Sequence, residues 1–282
     1  MTTVATALAD ARRRGIASLD AQLLLARLLA TTRTRLIAHD ERPLTPAESV
    51  RWEDSLERRL AGEPVAYLLG EKEFHGLALE VDRNVLVPRP ETELLVDWAC
   101  EAVAVLNSER FRGGDGPIRA VDLGTGSGAI ALALKRAHPQ SNVTGTDVSA
   151  GALAVARRNA ERLGLAVELL EASWWLGLEG RRFDIAIANP PYIAAGDPHL
   201  ATLRHEPAIA LTPGGDGLGA LRAIVAGASA PLAPAGWLLL EHGFDQGAAV
   251  REMLTGAGFS GVETRRDLAG HERATGGRRR SF

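Results

Sequence analysis

Ala120-Val121-Asp122-Leu123-Gly124-Thr125-Gly126-Ser127-Gly128 is the stretch that decides the fold. Its first four residues read as a buried strand, and Ala129 to His138 continues with helical spacing. Glycines at a strand-to-helix junction let the backbone approach a ligand closely and leave amide N–H groups free at the helix start. The spacing is G-x-G-x-G rather than the G-x-G-x-x-G of dinucleotide-binding units. The next strand, Asn142 to Thr146, runs into Asp147, about twenty residues on, where an acid would hold ribose hydroxyls. Glycines and acid together predict a nucleoside-type ligand. Asp122, inside the strand, is either a local hydrogen-bonding device or a ligand contact.

Downstream, Ser149 caps a helix that stops at Gly164. Strands are predicted near Val167–Leu170, Phe183–Ala188 and Trp237–Leu240, with a closing antiparallel pair over Phe259–Thr264 and Glu272–Thr275. Strands alternating with helices predict an α/β domain: a mostly parallel sheet covered on both faces, with ligands beyond the carboxyl ends of its strands. Trp174 and Trp175 follow the third strand, where adenine would lie. An indole there either stacks on the base or plugs the core under the loop.

The fourth strand ends in Asn189-Pro190-Pro191-Tyr192. Two consecutive prolines stop the strand and leave a stiff corner carrying an amide, free carbonyls and an aromatic face. That corner suits a small planar NH2 group, adenine or amide alike. An amide nitrogen is a poor nucleophile because its lone pair is delocalised. Accepting both of its hydrogens, through the Asn189 side-chain oxygen and the Pro190 carbonyl, would bias it toward an attacking geometry, with Tyr192 stacked on the flat group. Positioning then supplies most of the rate, without a metal or a nucleophilic residue. His199, His205 and His242 lack metal-ligand spacing, and structural roles are expected for His205 and His242.

Upstream, residues 1–72 are patterned as a small helical bundle. Val4, Ala7, Leu8 and Ala11 share a face, Ser18 can cap a second helix, and Thr45-Pro46-Ala47-Glu48 is a capping box with proline at the first helical position. Gly62 and Pro64 end that third helix. Residues 73–90 read as a β-hairpin linker in which Leu77–Val81 pairs across Asn84 with Val85-Leu86-Val87, and 91–282 as the main domain. That domain opens with a helix burying Leu94, Leu95, Trp98 and Val103, followed by a loop over Arg112–Gly116. A net charge of −3 argues against a protein whose main affinity is for a phosphate backbone. The basic cluster Arg278-Arg279-Arg280 reads as a solvated tail or a nucleic-acid contact. Cys100 is the single cysteine, so no intramolecular disulfide or thiolate cage is expected. With neither a signal-like core nor a membrane-length apolar run, a cytoplasmic protein is expected.

Taken in order, Pro88-Arg89-Pro90-Glu91-Thr92-Glu93, the Asp122–Gly128 loop, Asn189–Tyr192, His205-Glu206-Pro207, Leu240-Glu241-His242-Gly243 and Arg266-Asp267-Leu268 resemble the HemK/PrmC family of release-factor glutamine methyltransferases. The resemblance covers roughly the last two hundred residues and extends to the helical N-terminal module. It implies a class I S-adenosylmethionine-dependent methyltransferase fold, Rossmann-like, with a mostly parallel seven-stranded sheet. It implies N5-methylation of the glutamine in the Gly-Gly-Gln loop of class I peptide chain release factors, with the bundle docking the release factor; a monomer is expected. Gly124, Thr125, Gly126, Ser127, Gly128 and Asp147 would bind the donor, and Trp174 would contact its adenine. Asn189, Pro190, Pro191 and Tyr192 would grip the glutamine, with Asn189 also near the donor. The chain departs from the family at Ser173, where members often carry an acid, and the choice between Trp174 and Trp175 as stacking residue stays open.

An adenine-N6 DNA or RNA methyltransferase uses a similar corner, but it needs a basic surface and a way to extrude its base. The acidic balance opposes that reading. A non-catalytic nucleotide-binding scaffold is opposed by the intact glycines and Asn189, and a dehydrogenase by the glycine spacing.

Overall fold

The computed structural model describes residues 2–110 and 116–280, which divide into two compact units, Met1–Lys72 and Glu73–Phe282. Apart from Gly116, the loop expected over Arg112–Gly116 lies outside the described residues.

The first unit consists of α1 (Val4–Arg13), α2 (Ser18–Leu28), α3 (Arg33–Ala38), α4 (Pro46–Leu60) and α5 (Val65–Leu69). Val4, Ala7, Ala11, Leu24, Leu25, Leu36, Trp52 and Leu56 form its core. Thr45 and Glu48 close the expected capping box: the Thr45 side chain accepts from Glu48 N, and the Glu48 carboxylate accepts from Thr45 N at 2.8 Å. Ser18 is not a cap. It is the first helical residue of α2, preceded by Ala17, which supplies no side-chain acceptor.

Strand β1 (Glu71–Phe74) runs across the boundary between the units, and with β2 (Leu77–Glu80) it forms a two-stranded sheet. The hairpin expected between 77–81 and 85–87 is therefore formed elsewhere. His75 and Gly76, both at positive φ, make the two-residue turn that joins β2 to the strand before it. Residues 85–87 remain irregular because their backbone has other partners: Val85 N donates to Asp82 O, and Val87 N donates to the Glu206 carboxylate at 2.9 Å.

After a single 3-10 turn over Pro90–Thr92 come α6 (Glu93–Arg110), β3 (Arg119–Leu123), α7 (Ala129–Ala137), β4 (Asn142–Asp147), α8 (Ala150–Leu163), β5 (Glu168–Glu171) and β6 (Phe183–Ala188). Then follow α9 (Ala208–Leu211), α10 (Gly219–Gly227), β7 (Leu232–Glu241), α11 (Gly247–Gly256), β8 (Phe259–Arg266) and β9 (Glu272–Arg279). The seven-stranded sheet has the order β5-β4-β3-β6-β7-β9-β8. Strands β5 to β7 in this order run parallel, whereas β9 is antiparallel to both its neighbours.

Alternate residues of the sheet enter two cores. Ala120, Ile185, Ile187 and Leu239 pack with α6 and α7, while Val121, Leu123, Ala186, Ala188, Leu238 and Leu240 pack with α10 and α11. Burial on both faces explains why Phe183–Ala188 is a continuous apolar run apart from Asp184. The register sets Leu123 beside both Thr146 and Ala188, and Asp147 beside Glu171. Four strands thus end side by side, at the point where the order reverses around β3.

The basic cluster at the end of the chain belongs to this sheet rather than to a solvated tail. Arg278 and Arg279 lie in β9; Arg278 holds the Glu109 carboxylate through two bonds of 2.9 and 2.8 Å and donates to Ala235 O at 3.0 Å, while Arg279 donates to Leu232 O. Of the candidate nucleic-acid contact, Arg278 is neutralised by Glu109 and Arg279 is tied to a backbone carbonyl.

Candidate active site

A cleft of about 490 Å³ opens at the carboxyl ends of β3, β4, β5 and β6, and its size is that of a small-molecule site. Gly124, Thr125, Gly126 and Ser127 line it together with Asp147, Trp174, Asn189 and Pro191. Gly128, Pro190 and Tyr192 do not. Gly128 stands at the start of α7, where a Cβ would come within 2.9 Å of Leu132. Pro190 is buried and Tyr192 is half-buried.

The glycine-rich loop is braced from below by Asp122. One of its oxygens accepts from Thr125 Oγ1 at 2.6 Å and from Ala131 N at 3.2 Å, tying the loop to the first turn of α7. The local hydrogen-bonding role is therefore the one Asp122 performs. Asp147 accepts from Gly126 N through one oxygen and from Ser149 N through the other, both at 2.9 Å. Burial pushes its pKa up, opposed by these backbone donors. Each oxygen keeps lone pairs for further donors, which a vicinal diol supplies.

Trp174 adopts a positive φ of 50° in the turn after β5, an unusual conformation for a bulky residue. The turn carries its indole to Gly124, where a Cβ would stand 3.4 Å from the ring. Gly124, itself at φ 77°, thus keeps the mouth of the loop open beside an aromatic face. Trp175 points elsewhere. Its indole nitrogen donates to Ile224 O at 2.7 Å, and it packs against α10 where Gly227 leaves room. A diol acceptor, a flat aromatic wall and a glycine-rich loop fit an adenosine-type donor.

The Asn189 side chain is fixed by a contact that local sequence does not reveal. Its Nδ2 donates to Thr92 Oγ1 at 3.0 Å, which leaves Oδ1 as the acceptor of a side chain that lines the cleft. Tyr192 donates its hydroxyl to Glu241 at 3.2 Å, and its backbone oxygen accepts from Gln246 Nε2 at 2.9 Å. Gln246 also accepts from Gly243 N, so this one amide clamps the ends of two strands together. His242 is fully buried between Thr275 Oγ1 and its neighbour's carbonyl, at 2.7 and 2.8 Å. Glu206 accepts from Val87 N and Arg89, pinning the irregular segment that forms one wall of the cleft.

The corner also depends on Gly217, at φ 81°, where a Cβ would stand 2.3 Å from Tyr192 O. Gly217→Ala meets both a strained backbone and a backbone clash, and should lower stability by about 2 kcal/mol. A chemical-denaturation midpoint equal to that of the unaltered protein would contradict the clash.

Burial pushes the Asp122 and Glu241 carboxyls up to about 7. Both folded values lie above the unfolded ones, so the native state binds more protons between them. The stability these groups permit is therefore complete at acid pH and declines as pH rises from the usual carboxylate range through about 7. The fall in denaturation midpoint between mildly acid and mildly alkaline buffer should be smaller in Glu241→Gln than in the unaltered protein. An equal fall in both would contradict a raised Glu241.

Sheet order, cleft position and cleft lining together define a class I S-adenosylmethionine-dependent methyltransferase. The hMettl16 catalytic domain in complex with MAT2A 3'UTR hairpin 1 shares the fold, with a TM-score of 0.57 at 16% identity over 84% of this chain and 82% of that one. Residues 2–70 match the PrmC N-terminal domain and residues 115–240 the methyltransferase small domain. The release factor glutamine methyltransferase of Burkholderia pseudomallei is 48% identical across 97% of this chain and 96% of its own length. That of Bordetella pertussis is 47% identical across 98% and 99%. The chain belongs to the release factor glutamine methyltransferase family.

Proposed function

We propose that this protein transfers a methyl group to the side-chain amide nitrogen of the glutamine in the Gly-Gly-Gln loop of class I peptide chain release factors. When bound, S-adenosylmethionine supplies an electrophilic methyl group on sulfur. Asp147 would hold the ribose hydroxyls, Trp174 the adenine, and Gly124 to Ser127 the remainder of the donor, with Gly128 setting the loop's end. Asn189 Oδ1 and the Pro190 carbonyl would accept the two N–H hydrogens of the glutamine and stabilise the positive charge that develops on its nitrogen as the N–C bond forms and the sulfur–methyl bond breaks, after which one of these hydrogens leaves to solvent as a proton. Pro191 keeps the corner stiff, and Tyr192, which does not itself line the cleft, would brace the corner through its hydroxyl on Glu241.

The observation that carries this reading is the Asn189–Thr92 bond, which occupies the donor end of the asparagine and leaves its acceptor end for a substrate N–H. The net charge of −3 and the built-in Arg278 and Arg279 support a protein substrate over a nucleic acid. The unit Met1–Lys72 would dock the release factor, with residues 73–90 leading into a catalytic domain over 91–282. No helix among the described residues is long and apolar enough to cross a membrane. A monomer working in the cytoplasm beside its substrate is part of the same proposal.

The test is transfer of label from radioactive S-adenosylmethionine to purified release factor. A release factor with glutamic acid in place of the loop glutamine should take no label. DNA and RNA should take none either. Label on the substituted factor, or on nucleic acid alone, would overturn the reading.

A further inference from the structure

Glu241 sits at the end of β7, 1% exposed, with Oε2 lacking any hydrogen-bond partner among the described residues. A carboxylate oxygen left unpaired in the interior is costly and calls for an explanation. Its other oxygen receives the Tyr192 hydroxyl at 3.2 Å. Its neighbours are Thr92, itself only 4% exposed, and the Arg273 guanidinium from β9; Glu91, beside Thr92, is the other charge acting on it. Arg273 is held in place by Asp267, Nε to Oδ2 at 3.2 Å.

Thr92 is the pivot. Its oxygen accepts from Asn189 Nδ2, so its own proton is free to turn toward the nearest acceptor. A carboxylate accepts only, and this one has an oxygen without a partner. We propose that Glu241 is a positioning residue which, through Thr92 and Tyr192, fixes both ends of the Asn189–Tyr192 corner and sets the asparagine amide with its oxygen toward the substrate. With the carboxylate drawing the Thr92 proton, the Thr92 oxygen faces Asn189 as an acceptor. The asparagine must then present NH2 to Thr92 and C=O to the cleft. With that polarity removed, Thr92 can donate to Asn189, the amide turns over, and the corner offers an NH2 to a substrate NH2. The inference rests on the function proposed above.

The same relay carries a pH signature. Protonated Glu241 becomes a donor and no longer orders the Thr92 proton. Burial holds its pKa up to about 7, against the Thr92 hydroxyl and Arg273, which lower it, and with Glu91, which raises it. The turnover rate should therefore rise with pH through this region and level off above it.

The experiment compares the full-length protein with Glu241→Gln, Thr92→Val and Thr92→Ser, measuring kcat on release factor across pH and the donor Kd by calorimetry. Glu241→Gln and Thr92→Val should each lose about 10-fold or more in kcat at alkaline pH. Each should lose the acid limb and keep the donor Kd, and the double variant should lose no more than the worse single one. Thr92→Ser should restore what Thr92→Val loses. Additive losses, an unchanged kcat in either single variant, or a donor Kd that weakens in step would overturn the positioning role. Should Glu241→Gln fail to fold, the Thr92 pair decides by the same criteria. Absence of methylation by the unaltered protein would instead overturn the proposed function, and this inference with it.

Discussion

Asn189→Ala should cut methyl transfer about 10²–10³-fold while donor binding stays measurable by calorimetry. One acceptor decides the outcome. Asn189 Nδ2 is engaged by Thr92, so the side chain's contribution to chemistry is Oδ1, held still in a cleft wall. A glutamine nitrogen must lose amide conjugation to attack, and it does so only while its hydrogens are accepted from fixed directions. Preorganised partners of this kind typically contribute about 10²–10³ in kcat when one is removed. The donor's holding groups, Asp147, Trp174 and the loop, are untouched by the change, so calorimetry should still detect binding. Full turnover in the variant would show that Asn189 does not grip the amide.

Asp147→Ala should have the opposite signature, weakening the donor about 10- to 100-fold, the loss expected for charge-assisted hydrogen bonds to two hydroxyls. Two consequences combine. The acceptor for the diol is removed, and Gly126 N and Ser149 N each lose the carboxylate oxygen that held them at 2.9 Å. The glycine loop and the start of α8 both loosen, so Asp147→Asn, which keeps one oxygen, should fall between the two. Titration of donor into each variant measures this. An unchanged Kd in Asp147→Ala would contradict the ribose role.

The parts of this fold that are visible in the chain are those whose elements carry their own signals. Phe183–Ala188 reads as a strand because both faces are buried, and Ser149 with Gly164 bounds α8 by a side-chain cap at one end and a left-handed glycine at the other. Strand β1 is hidden because Glu71-Lys72-Glu73-Phe74 has three charged residues in four and no apolar alternation, so the pattern points β2 to residues 85–87 instead. Arg278 and Arg279 read as a tail because nothing local reveals that Glu109 and two carbonyls wait for them. The same limit applies at the site. The loop glycines, Asp147 and Asn189 are marked by their places at strand ends, whereas Thr92 and Glu241 reach Asn189 and Tyr192 across 97 and 49 residues of chain. Thr92 and Glu241 do lie inside two of the motifs that carry the family resemblance. That was the available signal, though not what it was for.

Methylation of a protein amide at the corner after β6 can be read out chemically, by incubating the protein with S-adenosylmethionine and purified release factor and fragmenting the Gly-Gly-Gln peptide in a mass spectrometer. One added methyl group is expected, on the glutamine side-chain nitrogen and nowhere else in the peptide. A methyl group on another residue, or an unmodified glutamine beside methylated adenine in parallel nucleic-acid samples, would contradict it.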